Sequence, residues 1–371
     1  MAADAEGSLL DSSGAVRHFG QLAFERLAQD PARCFLCGAP NSRVAFNQEH
    51  VVPNWILRRF RIGSLRVTLP NQTRIPYDRY KIRCCSPCNS LLGAEVEVPV
   101  SALLSDDVAT LRQTLDAPNN CLLYRWLCLL FVKTHLKDRD VRADLDRRNP
   151  SPQLSALYEW DRLHHVHSVA RAAQSRAAID PKVQGTILVF DMSDRREPFD
   201  YGDIYDHSTI FVRVGRIGVV AVLNDSGAAG MSLSNCLSGV NGRLSDIQLR
   251  EVAARAAYQN ERLLSRPTFY TELHAAGDLF MKSDHPDILR FGPVDNRALG
   301  ALLEHTCGPR LRRSTTPNQD ELLSRLRRAE GTFLYDDEGL FIKNPPGSII
   351  GSRSFPLKGG RGVASTDGHD R

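Results

Sequence analysis

Two Cys-x-x-Cys pairs, Cys34 with Cys37 and Cys85 with Cys88, constrain this chain more than any other feature. Two thiolates three residues apart share a tight turn and can grip one metal ion, and two such turns complete a tetrahedral four-sulfur zinc site. A single pair is also the signature of redox centres. Two pairs some fifty residues apart are the signature of structural zinc. Cys84 adjoins the second pair, but only Cys85 has the two-residue spacing to Cys88. The long spacer leaves room for a working segment between the knuckles, and its most distinctive stretch is Glu49-His50-Val51-Val52-Pro53.

The residue chemistry there suits phosphodiester hydrolysis, which needs an activated water, positive charge for the phosphoryl and leaving oxygens, and groups that hold both. His50 is the natural general base, since an imidazole titrates near neutrality. Glu49 precedes it on an extended segment, so the two side chains leave the backbone on opposite faces. Asn89 follows the last cysteine and offers an amide that can pin a loop carbonyl or orient the histidine ring. Glu97, eight residues on, shares a helix face with Asn89, whereas Glu95 points elsewhere. Glu49 and Glu97 offer hard oxygen ligands for magnesium or manganese.

Taken together, Cys-x-x-Cys, Glu49-His50-x-x-Pro53-x-Trp55, Cys-x-x-Cys-Asn89 and Glu97 resemble the HNH (ββα-metal) nuclease family, in a bacterial branch with this zinc-knuckle arrangement. The motifs span residues 33–100, and weaker similarity extends toward Trp126. The resemblance implies a metal-dependent endonuclease acting on DNA, with His50 and Asn89 in catalysis, Glu49 and Glu97 on a divalent ion (Mg2+ or Mn2+), and structural Zn2+ on the four cysteines. Better-known members carry histidine where this chain has Glu97, so the last metal ligand departs from the family pattern. Phage defence and restriction are settings compatible with that reading.

Charge points the same way. Between residues 33 and 83 ten basic residues face two acids, Glu49 and Asp78, for about +8 where the whole chain carries +4. Such a local excess positions phosphate, and arginine adds bidentate contacts. Arg58, Arg59, Arg61 and Arg66 are the candidate contacts to double-stranded DNA. A second function class stays open: a zinc-ribbon nucleic-acid-binding or assembly protein with a degenerate nuclease pocket.

The remainder reads as ordinary α+β protein, with 42% hydrophobic and 24% charged residues among 371. Nine cysteines, four of them in metal spacing, argue for a reducing compartment. With an acidic start lacking a secretory pattern and no apolar run long enough to span a bilayer, the expected location is cytoplasmic and away from membranes. The expected units are an N-terminal helical segment (1–32, with the helix over 14–28), the zinc and HNH module (33–100), a helical region (101–180), an α+β region with a small antiparallel sheet (181–343) and a flexible tail (344–371). Helices are expected over 54–60, from about Asn89 to before Pro99, and over 101–115, 121–136, 154–178, 244–264, 299–302 and 321–329, the last capped by Asn318. Strands are expected over 186–191, 209–214 and 218–223, with a terminal hairpin around Asp336. Cys121 and Cys128 read as core residues and Cys236 and Cys307 as inert thiols. His135 reads as a capping or surface residue. The spacing of His164, His165 and His167 spreads them around a helix, which favours a surface or nucleic-acid-facing role over a metal site.

Overall fold

The structure, a computed structural model, describes residues 2–105, 107–117, 120–146, 148–193, 198–275, 277–312, 318–343 and 345. The expected flexible tail (344–371) lies outside them except for residue 345. The chain is α+β, with several small sheets and intervening helices. No helix among the described residues is long and apolar enough to cross a membrane.

Near the N-terminus a three-stranded ribbon of two- and three-residue strands leads into helix α1 (Gln21–Gln29). The helix expected from residue 14 therefore starts later, because Val16–His18 pair as a strand with Leu9 and Leu10. The working segment follows. Strand β1 (Phe46–His50) pairs antiparallel with β2 (Lys81–Cys85), in a register that sets Glu49 opposite Ile82 and His50 opposite Lys81. Helix α2 (Asn54–Phe60) starts behind Pro53 and ends on Arg61, whose φ of 53° turns the chain away. Between α2 and β2 lies a two-stranded ribbon, Arg66–Thr68 with Arg74–Pro76.

Helix α3 (Ser86–Leu92) springs directly from β2 and passes without interruption through a π turn (Gly93–Glu97) into α4 (Val98–Leu103). An end before Pro99 was expected. Pro99 follows the π turn directly, and that wider turn takes up the misfit of a proline that lacks an N–H inside a continuous helix. After α5 (Val108–Leu115), whose N-cap Asp107 accepts from the Ala109 and Thr110 amides, comes the central helix α6 (Leu122–Asp138). Nearly every residue of α6 is buried, Lys133, His135 and Asp138 among them, so it packs on all sides rather than along one stripe.

Residues 154–178 form short 3-10 turns and helix α7 (His164–Ala170) rather than one long helix. The main sheet holds β3 (Thr186–Asp191), β4 (Phe199–Ile204), β5 (Thr209–Val214) and β6 (Ile217–Val222), all antiparallel in the order β4-β5-β6-β3. Strand β4 went unread because Asp, Gly and Asp interrupt its apolar pattern. One face of the sheet joins the core that holds α6, and the other packs with α8 (Ala228–Leu237) and α9 (Asp246–Arg262). Ser245 and Gln248 close α9 with a capping box. A second hairpin, β7 (Thr268–Leu273) with β8 (Leu279–Asp284), and helices α10 (Asn296–Leu311) and α11 (Gln319–Arg327) complete the described chain. Asn318 stands at the head of α11 in a left-handed conformation without the expected side-chain cap. The terminal hairpin is a single bridge between Tyr335 and Phe341.

A single hydrophobic cluster runs from Phe19 through the zinc-knuckle segment, α6 and α7 into the sheet, so the core crosses the positions expected as boundaries. Beside it lies a buried polar layer. Tyr80 Oη donates to Asp138 Oδ1 at 2.9 Å, Tyr201 Oη donates to Asp203 Oδ2 at 2.9 Å, and His135 Nε2 stands 3.3 Å from Asp203 Oδ1. His135 is thus interior, boxed by Phe131, Tyr158 and Tyr205, rather than a surface or capping residue. The apolar surroundings that make α6 a core helix carry its histidine inside.

Burial pushes the Asp138 carboxyl up to about 7, against the pull of the Tyr80 hydroxyl and His135. An acid with a raised native pKa contributes stability that is present below its unfolded value and is lost as pH rises through the native one. Asp138→Asn should therefore gain on the native protein as pH rises from 5 to 8, by up to a few kcal/mol in urea unfolding. A variant that instead loses ground as pH rises would mean the ionised carboxylate is the stabilising form.

Candidate metal centre and catalytic pocket

The sulfurs of Cys34, Cys37, Cys85 and Cys88 all lie within 4.8 Å of one another. Zn–S bonds of about 2.3 Å set tetrahedral ligands roughly 3.8 Å apart, so this donor set fits zinc without a change of fold. Local structure explains the convergence. Cys34 and Cys37 sit in a turn closed by the Gly38 amide donating to the Cys34 carbonyl at 2.8 Å, with Gly38 at φ +75°. A Cβ there would approach Phe19 to 2.8 Å, so glycine is required twice over. Cys85 ends β2 and Cys88 stands one turn into α3.

The reading of Cys85 over Cys84 matches this geometry. Cys84 is nevertheless buried with its sulfur 3.8 Å from that of Cys34, a fifth thiol beside the cluster. Cys128 is a core residue, as expected, and Cys236 and Cys307 are also buried.

Arg171, which sequence reasoning missed, and His167, which it placed on the surface, brace the first knuckle. Arg171, 2% exposed, donates Nε to the Leu36 carbonyl at 2.8 Å, Nη1 to the Arg17 carbonyl at 3.1 Å and Nη2 to the Val16 carbonyl at 2.8 Å. His167 Nε2 bonds the Phe35 carbonyl at 2.7 Å, and His164 Nε2 bonds that of Phe19 at 2.7 Å. These histidines are inward-facing clamps, and His165 is stacked on Phe269 at 3.6 Å, so the surface-facing role expected for the three is corrected. Burial pulls the Arg171 guanidinium down to about 10, which leaves it charged at neutral pH. A four-thiolate zinc centre carries two negative charges, and this cation partly offsets them. No spacing rule links residue 171 to residue 36, so the sequence offered no signal.

The catalytic candidates separate into two groups. Glu49 and Glu97 come together, but around a third residue: Lys133 of α6, which is 1% exposed. Its Nζ donates to Glu49 Oε1 at 2.7 Å, to the His50 carbonyl at 2.8 Å and to Glu97 Oε1 at 3.3 Å. Burial, together with the facing Glu49 carboxylate, pushes Glu97 up to about 7 against the pull of Lys133. Burial pulls Lys133 down, and the two carboxylates overcome it, so its pKa is raised. Glu95 is exposed, in keeping with the preference for Glu97. Sequence reasoning missed Lys133, although a lone lysine inside the apolar run after Trp126 was a legible sign of a buried ion pair.

His50 is half-buried at the end of β1. Burial first, then Lys81 across the hairpin, holds its imidazole below the ordinary value of 6.5, hence neutral at pH 7. Asn89 Nδ2 donates to Asn47 Oδ1 at 2.7 Å, which bolts α3 to β1. Arg58, Arg59, Arg61 and Arg66 are all exposed. Arg59 is braced by Ser105 Oγ at 3.0 Å and the Leu104 carbonyl at 3.3 Å, and Arg66 by the Arg74 carbonyl at 3.3 Å. Beside Glu97 opens a cleft of about 420 Å³ lined by Trp55, Gly93, Val98 and Ser101.

The hard divalent ion that the resemblance implies does not fit this arrangement. Mg2+ needs oxygens at about 2.0–2.1 Å and keeps several waters, whereas the oxygens here already surround an ammonium. The chain matches no protein-family model, no curated protein and no solved structure.

Removing Arg171 takes the donor from the buried Leu36 carbonyl, at about 1–3 kcal/mol for a buried group left unsatisfied, and from the half-buried Arg17 and Val16 carbonyls, and it withdraws a cation from beside the four thiols. Arg171→Met should therefore release zinc to a colorimetric chelator at least about tenfold faster than the native protein. Equal release rates would show that the guanidinium plays no part in holding the knuckle.

Proposed function

We propose that the zinc-knuckle segment is an HNH-type endonuclease that hydrolyses phosphodiester bonds in DNA, in a setting such as phage defence or restriction. The observation that carries this reading is the placement of His50. A neutral, half-exposed imidazole ends a strand that Glu49 and Lys133 anchor from behind, beside a helix that Asn89 ties to the same strand. In this reading His50 takes a proton from water, the resulting hydroxide attacks phosphorus, and the bond to the leaving sugar oxygen breaks. The exposed arginines around α2 hold the duplex through phosphates and so contribute affinity rather than sequence choice. A magnesium or manganese ion would supply charge stabilisation at the phosphate when bound, but only after Lys133 gave up Glu49 and Glu97.

That last condition favours a second reading, a zinc-ribbon nucleic-acid-binding or assembly protein whose pocket no longer cuts. The same buried ammonium that anchors His50 is the observation behind it.

His50→Ala separates the two. Plasmid cleavage by the zinc-loaded protein should fall at least about 100-fold, the usual contribution of a general base, while zinc content and DNA affinity stay unchanged. Because the imidazole is held below its ordinary 6.5, native cleavage should persist below that pH and fail only as the base protonates. A His50→Ala protein that cuts at the native rate would overturn the nuclease reading. A native protein that binds DNA but never cuts it would establish the second one.

A further inference from the structure

The pocket between β1 and the π turn collects three oxygens from separate places: the Glu49 carboxylate, the His50 carbonyl and the Glu97 carboxylate. All three point at one atom, Lys133 Nζ, at 2.7, 2.8 and 3.3 Å. An ammonium has three protons and no acceptor, so this partner set uses its full donor capacity. We infer that Lys133 is the resident cation of this pocket, standing where a hard divalent ion would otherwise bind, and that removing its ammonium turns the pocket into a site for such an ion.

Several features support the exchange. A buried carboxylate beside a half-buried one needs a positive charge between them, because like charges in a poorly solvated site repel strongly. Lys133 supplies it from a helix whose neighbouring residues Leu129, Leu130, Val132 and Leu136 are all buried, so its stem is held by packing. The ammonium also grips the backbone at His50, so it fixes the segment that carries the imidazole. Lys133 is accordingly a positioning residue, since at 1% exposure it does not reach a substrate. A divalent ion placed among the same oxygens would sit a few ångström from the ammonium and be repelled by it. Without the ammonium, the pocket keeps two carboxylates and a carbonyl, the hard oxygens that Mn2+ and Mg2+ prefer. The cleft beside Glu97 then gives the ion an entry path and room for its water ligands.

The test is Mn2+ binding, read from the electron paramagnetic resonance signal of the free ion, on the zinc-loaded full chain. It is a readout independent of cleavage, so failure of the nuclease reading leaves it intact. The native protein should show no site tighter than about 1 mM, the weak end of carboxylate-based sites. Lys133→Met, which keeps the packing volume and drops the charge, should gain one site at least about tenfold tighter. Adding Glu97→Gln in that background should abolish the gained site, with zinc at one ion per chain throughout. Lys133→Ala provides a second background should the methionine disturb the helix, and the native titration needs no variant at all. One Mn2+ bound by the native protein and lost in Glu97→Gln would overturn the inference, as would the failure of both lysine variants to gain a site.

Discussion

Four cysteine sulfurs from two turns far apart in sequence meet within 4.8 Å, and the arrangement of everything between them follows from that meeting. The first turn precedes β1, while the second is the junction of β2 with α3. Closing the two onto one point fixes the hairpin against its helix, because the hairpin has few buried apolar residues of its own with which to do so. The knuckle is then held from outside by Arg171 and His167, which bond to carbonyls of the first turn. A segment that looks detachable in sequence is therefore seated in the same core as α6, α7 and the sheet.

The second organising feature is electrostatic. Lys133 reaches from α6 into the back of the hairpin and satisfies two acids and a backbone carbonyl together. Breaking such a buried set by removing one partner is costly, whereas the intact set mainly buys specificity of arrangement. Here it specifies which face of β1 turns inward. Glu49 goes to the ammonium, and His50, one residue on, goes to the opposite and more open side. The alternation of a strand converts one buried contact into the orientation of a candidate catalytic base.

Legibility in the sequence followed the range of the physics involved. The zinc ligands were readable because a turn forces their spacing, and α2, α6, α9 and strands β3, β5 and β6 because their apolar patterns are local. The opposite facing of Glu49 and His50 follows from strand alternation, whereas the meeting of Glu49 with Glu97 was expected only from the resemblance. Other features depend on contacts between remote residues. Lys133, Arg171 and His167 act on groups 36 to 155 positions away, and no periodicity encodes such pairs. The run through Pro99 was hidden because a π turn has no simple sequence sign. Strand β4 was hidden because its pairing with β5 overrides a weak propensity. The burial of His135 could have been read, since a histidine just after a long apolar run follows its helix into the core.

Two cations are expected to divide the labour, zinc on the four cysteines for the shape of the hairpin and helix and Lys133 for the charge of the pocket. Anomalous diffraction from crystals soaked in Mn2+, with data at the zinc and manganese edges, tests both halves at once. One zinc peak is expected at about 2.3 Å from the sulfurs of Cys34, Cys37, Cys85 and Cys88. No manganese peak is expected between Glu49 and Glu97, with Lys133 Nζ in that place. A cysteine cluster without zinc, or a manganese peak between the carboxylates with Lys133 turned aside, would contradict this division of labour.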